Sequence, residues 1–331
     1  MRNKSTQNKR SWEKKHIDLK SSLKKCQKSA HRGYKIAKEN IRESSKAIKK
    51  VSKSLSECLK TIEDGKVRSS GIVKKLRTQL SDVAFELEQL QNITENDLAE
   101  RKKRLDRFSI TLFGRTMSGK STLMEILTQG DGISIGKGGQ RTTRDVRTYN
   151  WHGLEVTDVP GIAAFEGLED EEVAFKSASQ ADLVLFLVTD DAPQPVEAEC
   201  LARIRRLGKP VIGICNIKTS IDDEDDLALF LGKPDRSFNI KRIRELLDQF
   251  HAFADQHIPG RRVPFVITHL RSRFLAQVDK YKEHHKKLIK ASRFNKIESQ
   301  IVREVDGRGV FLRSKSFIDG AVTPLMDLTN R

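Results

Sequence analysis

Phe113-Gly114-Arg115-Thr116-Met117-Ser118-Gly119-Lys120-Ser121-Thr122 is the stretch on which the reading of this chain turns. Gly114, Gly119, Lys120 and Ser121 fall on the spacing G-x-x-x-x-G-K-[ST], a phosphate-loop pattern. Glycines let the backbone wrap a phosphate with its N–H groups pointing inward. Lys120 would reach the β- and γ-phosphates of a nucleotide, and the Ser121 hydroxyl would complete a Mg²⁺ shell. Residues 107–113 are a β-rich run and 121–127 a helical one. That strand-loop-helix setting separates the motif from a chance match in an ordinary loop. All of Gly114 to Thr122 are therefore candidate nucleotide-binding residues.

Working outward, apolar runs recur at 154–157, 183–188, 210–215 and 263–267, with helical stretches at 171–179, 196–207 and 240–257. Continuous apolar strands separated by helices predict an α/β fold with a mostly parallel sheet covered on both faces. The tail reads as one helix from Ser292 to about Val305, and residues 307–331 show no clear period. The expected organisation is a basic helical arm over 1–104, a nucleotide-binding domain over 105–270 and a C-terminal helical extension over 271–331.

In the arm, Ile48, Val51, Leu55, Cys58 and Ile62 step by three and four, with Ile41 two turns upstream on the same face. This narrow helical stripe ends at the turn-like run from Glu63 to Lys66. Val73, Leu76, Leu80, Val83, Leu87 and Leu90 form a clearer a/d pattern, widened by Phe85. Such a helix packs on another from the arm, the main domain or a second subunit, so self-association through 73–90 is one expectation. Thr94 to Asp97 reads as a capping box opening a further short helix over 98–105.

The chain has 331 residues, room for one substantial α/β domain and an arm. Of its net charge of +17, +14 lies at or before Lys60, where 19 Lys and Arg face 5 Asp and Glu. An arm of that charge would be drawn to an anionic partner, RNA or an acidic membrane surface. Its only stacking aromatics are Trp12 and Tyr34, and a solvated helical face with no polyanion ligand stays open beside that reading. No run of 18 uncharged apolar residues exists, so no transmembrane segment is expected. The basic N-terminus lacks the apolar core of a secretory signal. Cys26, Cys58, Cys200 and Cys215 have neither zinc nor disulfide spacing, which suits a reducing interior. The expected location is cytoplasmic, with peripheral membrane attachment as the extension of the arm's charge.

Downstream, Gly139 to Asp145 (Gly-Gln-Arg-Thr-Thr-Arg-Asp) and Asp158-Val159-Pro160-Gly161 follow the phosphate loop in order. With these elements the body resembles a translation-factor-class GTPase domain of the Era/TrmE kind. It is also similar to the GTPase domains of bacterial dynamin-like proteins, which often carry helical material before the G domain. The resemblance covers about Leu105 to Leu270 and leaves the arm and tail unexplained. It implies a P-loop NTPase G domain using GTP and Mg²⁺. By it, Thr143 (rather than Thr142) meets Mg²⁺ and the γ-phosphate, Asp158 holds Mg²⁺ through water, and the Gly161 N–H senses the γ-phosphate. The implied metal set is Ser121, Thr143 and Asp158; the implied catalytic set is Lys120, Thr143 and Gly161.

Three departures from the family pattern bear on activity. Ile162 stands where a water-positioning glutamine would be, so turnover is expected to be slow unless Gln140, Arg141, Arg144, a cation or a partner assists. Met117 takes the place of the asparagine of potassium-assisted relatives, and a thioether is a poor ligand for a hard cation. Base recognition normally uses N-K-x-D; here Asn216 matches, Ile217 takes the lysine position and Thr219 the aspartate position. Lys218 would assume the stacking role, with Asp222 an alternative carboxylate if the loop rearranged. The last base-contacting loop would be Thr268-His269-Leu270, where His269 either flanks the base or is a satisfied loop histidine. The run from Asp222 to Asp226 reads as a solvated insertion more than as a metal site, which would need its carboxylates to converge. The leading expectation is a Mg²⁺-dependent GTPase acting as a switch or mechanochemical element. The alternative is a nucleotide-dependent RNA- or ribosome-binding or scaffold protein with little hydrolysis.

Overall fold

The computed structural model describes residues 3–64, 71–130, 132–133, 147–161 and 168–329, with side chains from Leu19 onward except at 63–64, 72–73, 168–170 and 323–329. Two compact units result, one of residues 1–23 and 107–309, the other of 24–106 and 310–331.

The first unit is the expected α/β layer. Strands β1 (Phe108–Gly114), β2 (Arg147–Trp151), β3 (Leu154–Asp158), β4 (Leu183–Thr189), β5 (Val211–Asn216) and β6 (Phe265–Thr268) form one sheet in the order β2-β3-β1-β4-β5-β6. All pairings are parallel except β2 with β3. Every residue of β1, β3 and β4 is buried, as continuous apolar strands covered on both faces require. Phe113 stacks on Phe186 at 5.9 Å and meets Phe175 at 5.2 Å, filling one face of the sheet.

Between the strands run α3 (Lys120–Thr128), α4 (Leu168–Gln180), α5 (Pro195–Arg206), α6 (Glu224–Gly232), α7 (Ile240–His257), α8 (Leu270–Leu275) and α9 (His285–Ser292). Because the strands are parallel, Gly114, Asp158, Thr189, Asn216 and Thr268 all stand at or beside one edge of the sheet. Ligands of open α/β sheets bind outside such carboxyl ends.

Two elements escaped the sequence reading. Strand β2 is turned out by His152 and Gly153, both at positive φ, a two-residue hairpin whose twist suits the strands. The acidic run opens α6: the Asp223 carboxylate accepts the Asp226 N–H at 2.7 Å, and the following acids sit in the first turn, where the helix dipole favours them.

The second unit draws on α1 (Asn3–Asp64), α2 (Gly71–Lys102) and α10 (Asn295–Thr329). One of its buried clusters is Ala30, Ala37, Ile41, Leu98, Leu105, Phe317 and Ala321, with Tyr34 edge-on to Phe317 at 6.2 Å. Small residues set the spacing. Ser29 Oγ donates to the Val310 carbonyl at 2.6 Å, and a side chain at Gly33 would come within 2.9 Å of Ser314 Cα.

Three expectations are corrected here. The stripe from Ile48 to Ile62 is not the buried one: Val51 and Cys58 are exposed, and the seam runs upstream. Thr94 does not cap a new helix; its hydroxyl donates to the Leu90 carbonyl at 2.7 Å while α2 continues to Lys102. The tail continues as helix to Thr329, because Arg313 donates to the Arg104 and Leu105 carbonyls (2.7 and 2.9 Å) and Phe317 is buried. Tertiary packing supplies what local period does not. On α2, Leu76, Val83 and Phe85 are exposed.

Candidate nucleotide site

The phosphate loop leaves β1 at Gly114, whose Cβ would lie 2.4 Å from the Leu187 carbonyl, and enters α3 through Gly119. Gly119 has φ +106, and a Cβ there would meet Asn216 Nδ2 at 2.6 Å, so both backbone conformation and space demand glycine. The α3 N-terminus thus presents its free N–H groups and positive dipole end to the loop, an arrangement that favours an anion.

Lys120 is 7 % exposed, and its ammonium donates to the carbonyls of Gly114 (2.8 Å) and Arg115 (3.0 Å). Burial lowers its pKa to about 8, opposed by the Asp158 and Glu197 carboxylates. Thr116 Oγ1 and Ser118 Oγ are buried with no hydrogen-bond partner among the described residues. Such orphan hydroxyls cost about 1–3 kcal/mol each unless something satisfies them. The donor set, the helix N-terminus and the carboxylate of Asp158 fit a phosphate chain with Mg²⁺. Ser121, the second residue of α3, is half-exposed, and Thr122 follows it. Met117, at φ 64, is 71 % exposed and points away from the buried loop interior.

Asp158 and Gly161 come to the same place. A Cβ on Gly161 would lie 2.7 Å from the Thr116 amide nitrogen, so the backbone after β3 presses on the phosphate loop. Thr143, its neighbour Thr142, the residues Gln140, Arg141 and Arg144, and Ile162 lie outside the described residues.

Asn216 latches the loops that follow β1, β5 and β6. Its Nδ2 donates to the Ser118 carbonyl at 3.0 Å and its Oδ1 accepts the Leu270 N–H at 3.1 Å, joining three loops. Ile217 is buried, whereas Lys218 and Thr219 are exposed at the rim. The Lys218 N–H is held by the Asp190 carboxylate at 2.9 Å. Asp222 is engaged by Arg271 Nε at 2.9 Å. Thr268 is buried and its hydroxyl donates to the Ser292 carbonyl at 2.8 Å, which turns it from the rim.

His269 is fully buried: Nε2 donates to the Thr219 carbonyl at 2.9 Å and Nδ1 accepts the Ser272 N–H at 3.0 Å. Burial, the main cause, lowers its pKa. It is a satisfied neutral histidine that positions the loop carrying Thr219.

Sequence reasoning missed a carboxylate pair behind the loop. Arg115 is bonded to Asp191 at 2.6 Å and to the Thr189 hydroxyl, and its Nε lies 3.6 Å from buried Glu197. Burial raises the Glu197 pKa, with Arg115 opposing. Gln194-Pro195-Val196-Glu197 is legible as a helix start, since Glu197 also accepts the Gln194 N–H at 3.3 Å. Nothing in the sequence aims it at Arg115.

The site's resemblance extends to known proteins. Residues 109–217 match the family described as 50S ribosome-binding GTPase. The chain is 28 % identical over 193 residues to the tRNA modification GTPase MnmE of Mycoplasma genitalium, covering 56 % of this chain and 42 % of that protein. It is 35 % identical over 121 residues to the GTPase Der of Methylococcus capsulatus, covering 32 % of this chain and 25 % of the relative. The chain therefore spans less than half the length of either. Among solved structures, the LeoA bacterial dynamin GTPase from ETEC aligns at 16 % identity and TM-score 0.34, covering 88 % of this chain and 48 % of that one. The central part of this chain is thus similar in sequence to the GTPases MnmE and Der.

Proposed function

We propose that the chain binds GTP with Mg²⁺ and hydrolyses its γ-phosphoanhydride, working as a switch or mechanochemical element recruited by its basic arm. The observation that carries this reading is the buried Lys120 ammonium, clamped on two loop carbonyls beside two unsatisfied hydroxyls. On binding, Lys120 would exchange those carbonyls for β- and γ-phosphate oxygens, and the loop N–H groups would hold developing charge. Mg²⁺, when bound, would neutralise charge on the phosphate oxygens, held by Ser121, Asp158 and Thr143. Gly161 would report the γ-phosphate, and Asn216, Lys218, Thr219 and the loop of Thr268 and His269 would frame the base. With Ile162 in the position of a water-orienting side chain, turnover should be slow without a partner.

That residue also favours a second reading, a nucleotide-loaded scaffold that recruits partners with little hydrolysis. RNA or an acidic membrane surface is the proposed target of the arm, in a cytoplasmic or membrane-peripheral setting. Exposed Leu76, Val83 and Phe85 support self-association through α2. No helix among the described residues is long and apolar enough to cross a membrane. The decisive test compares calorimetric binding of GTP and ATP with phosphate release, for wild type and Lys120→Ala. Binding with Mg²⁺-dependent release, both lost in the variant, supports the enzyme; binding without release supports the scaffold; failure of both nucleotides to bind sinks both readings.

A further inference from the structure

The sheet ends at β6, on the side away from β5. Parallel pairing commits alternate residues to a neighbour. The Pro264 carbonyl accepts from Gly213 N–H at 2.9 Å and the Thr268 carbonyl from Ile217 N–H at 2.8 Å. With Gly213 opposite Phe265 and Cys215 opposite Ile267, the N–H and C=O of Phe265 and Ile267 face outward, without partners among the described residues. Such a row of free amides and carbonyls is a template for another strand.

The edge lies in a groove of about 710 Å³ between α7 and the first turns of α10. Its charged lining is Arg244, Asp248, Arg262, Lys296 and Arg303, four cations against one carboxylate. The carboxylate is already taken, since Arg262 Nη1 donates to Asp248 at 2.5 Å. Arg244 and Lys296 are exposed and stand on opposite walls, one from each helix. Leu247 and Val263 add apolar surface. Of the two aromatic rings among the described residues lining it, His251 is buried and Phe265 is packed edge-on against Phe250 (5.9 Å) and His251 (5.7 Å), so a nucleic-acid base has no free platform.

We propose that the outer edge of β6 is a docking groove for an extended acidic peptide of a partner protein. The peptide would pair its backbone with Phe265 and Ile267 and set its carboxylates against Arg244, Lys296 and Arg303. The lining of the groove shares no residue with the nucleotide site.

The test uses the full chain and three labelled decapeptides: alternating Val-Glu, alternating Val-Lys, and the Val-Glu peptide interrupted by two prolines. Fluorescence anisotropy measures binding, and amide hydrogen exchange reads Phe265 and Ile267. The expected result is binding of the Val-Glu peptide alone, with slowed exchange at both amides. The double variant R244E/K296E, at two exposed positions, should weaken that binding about tenfold or more. Ile267→Pro should do the same by removing an outward amide that β5 does not use, a change edge strands tolerate. Absence of Val-Glu binding, equal binding of the Val-Lys or proline peptides, or unchanged exchange at Phe265 and Ile267 overturns the proposal. Unchanged affinity in R244E/K296E does so as well. Protection of those amides by poly(U) RNA and not by the peptide would instead assign the groove to nucleic acid.

Discussion

Under the proposed GTP-binding reading Thr219 takes the place of the N-K-x-D aspartate, and its position is fixed, because the His269 ring holds its carbonyl at 2.9 Å. A neutral hydroxyl offers guanine less than a carboxylate would. A hydrogen bond to a charged group is worth about 1.5–3 kcal/mol against about 0.5–1.5 for a neutral one, and a carboxylate can accept two. Thr219→Asp should therefore raise the GTP-over-ATP preference roughly tenfold to a hundredfold. Calorimetry with both nucleotides checks this, and an unchanged ratio would mean that the rim does not read the base. The histidines set a pH dependence. His269 is neutral, accepting a backbone N–H, and His251 accepts from Arg205 at 2.9 Å while its Nε2 faces the Val263 carbonyl at 3.2 Å. Burial lowers both pKa values, and Arg205 lowers that of His251 further. The unfolded chain then binds more protons than the folded one below about pH 6.5, so stability falls as pH drops through that value. Denaturant midpoints at pH 7.5 and 5.5 should show the loss, and His251→Gln should shrink it. The strand, loop and helix around Gly114 to Thr122 were legible because their glycine spacing and flanking runs are local in sequence. Glu197, Asp190 and Asp191 were not, because sheet order alone brings them to Arg115 and Lys218.

At the scale of elements, the buried strands were readable from continuous apolar runs, and α7 from its period. Strand β2 was not, since it is mostly exposed and its residues carry little apolar signal. The seam of α1 was overlooked for a related reason. Cys26, Ser29, Ala30, Gly33 and Ala37 are small, so a search for large apolar side chains passes over them, although small residues are what let helices approach closely. That closeness is testable. A Cβ at Gly33 would lie 2.9 Å from both Cα and O of Ser314, backbone atoms that cannot step aside as a side-chain end can. Gly33→Val should destabilise the helical unit by about 1–3 kcal/mol or more through overpacking, despite valine's larger apolar surface. Thermal unfolding followed by helical circular dichroism measures it. Gly307→Ala is the control, since nothing lies within 4 Å of a Cβ there and it should leave stability unchanged or slightly higher. Equal stability of the two variants would show that α10 does not pack on α1 as described.

Across the whole molecule, charge is the property that folding does not consume. The buried seam of α1 is apolar and small, while Lys24, Lys25, Lys28, Lys35 and Lys38 remain exposed. Removing residues 1–60 would remove the core residues Ala30, Ala37 and Ile41 with the charge, so truncation cannot isolate the electrostatic role. Reversing exposed charges can. Lys24→Glu, Lys28→Glu, Lys35→Glu and Lys38→Glu in one chain leave the seam intact and change the net charge by −8. If the arm contacts a phosphate backbone, each lost contact lowers the slope of log K against log salt by about 0.7 for single-stranded RNA. The fourfold variant should then bind poly(U) far more weakly at moderate salt and with a shallower slope, up to about three units less. GTP affinity should stay within about twofold, because these positions are remote in sequence from the phosphate loop and screened by solvent. Running anionic vesicles in parallel separates the two targets: whichever surface loses binding on charge reversal is the one the arm recognises. Unchanged slopes on both would leave the lysines as a solvated helical face, with partner recruitment falling to the exposed stripe of α2.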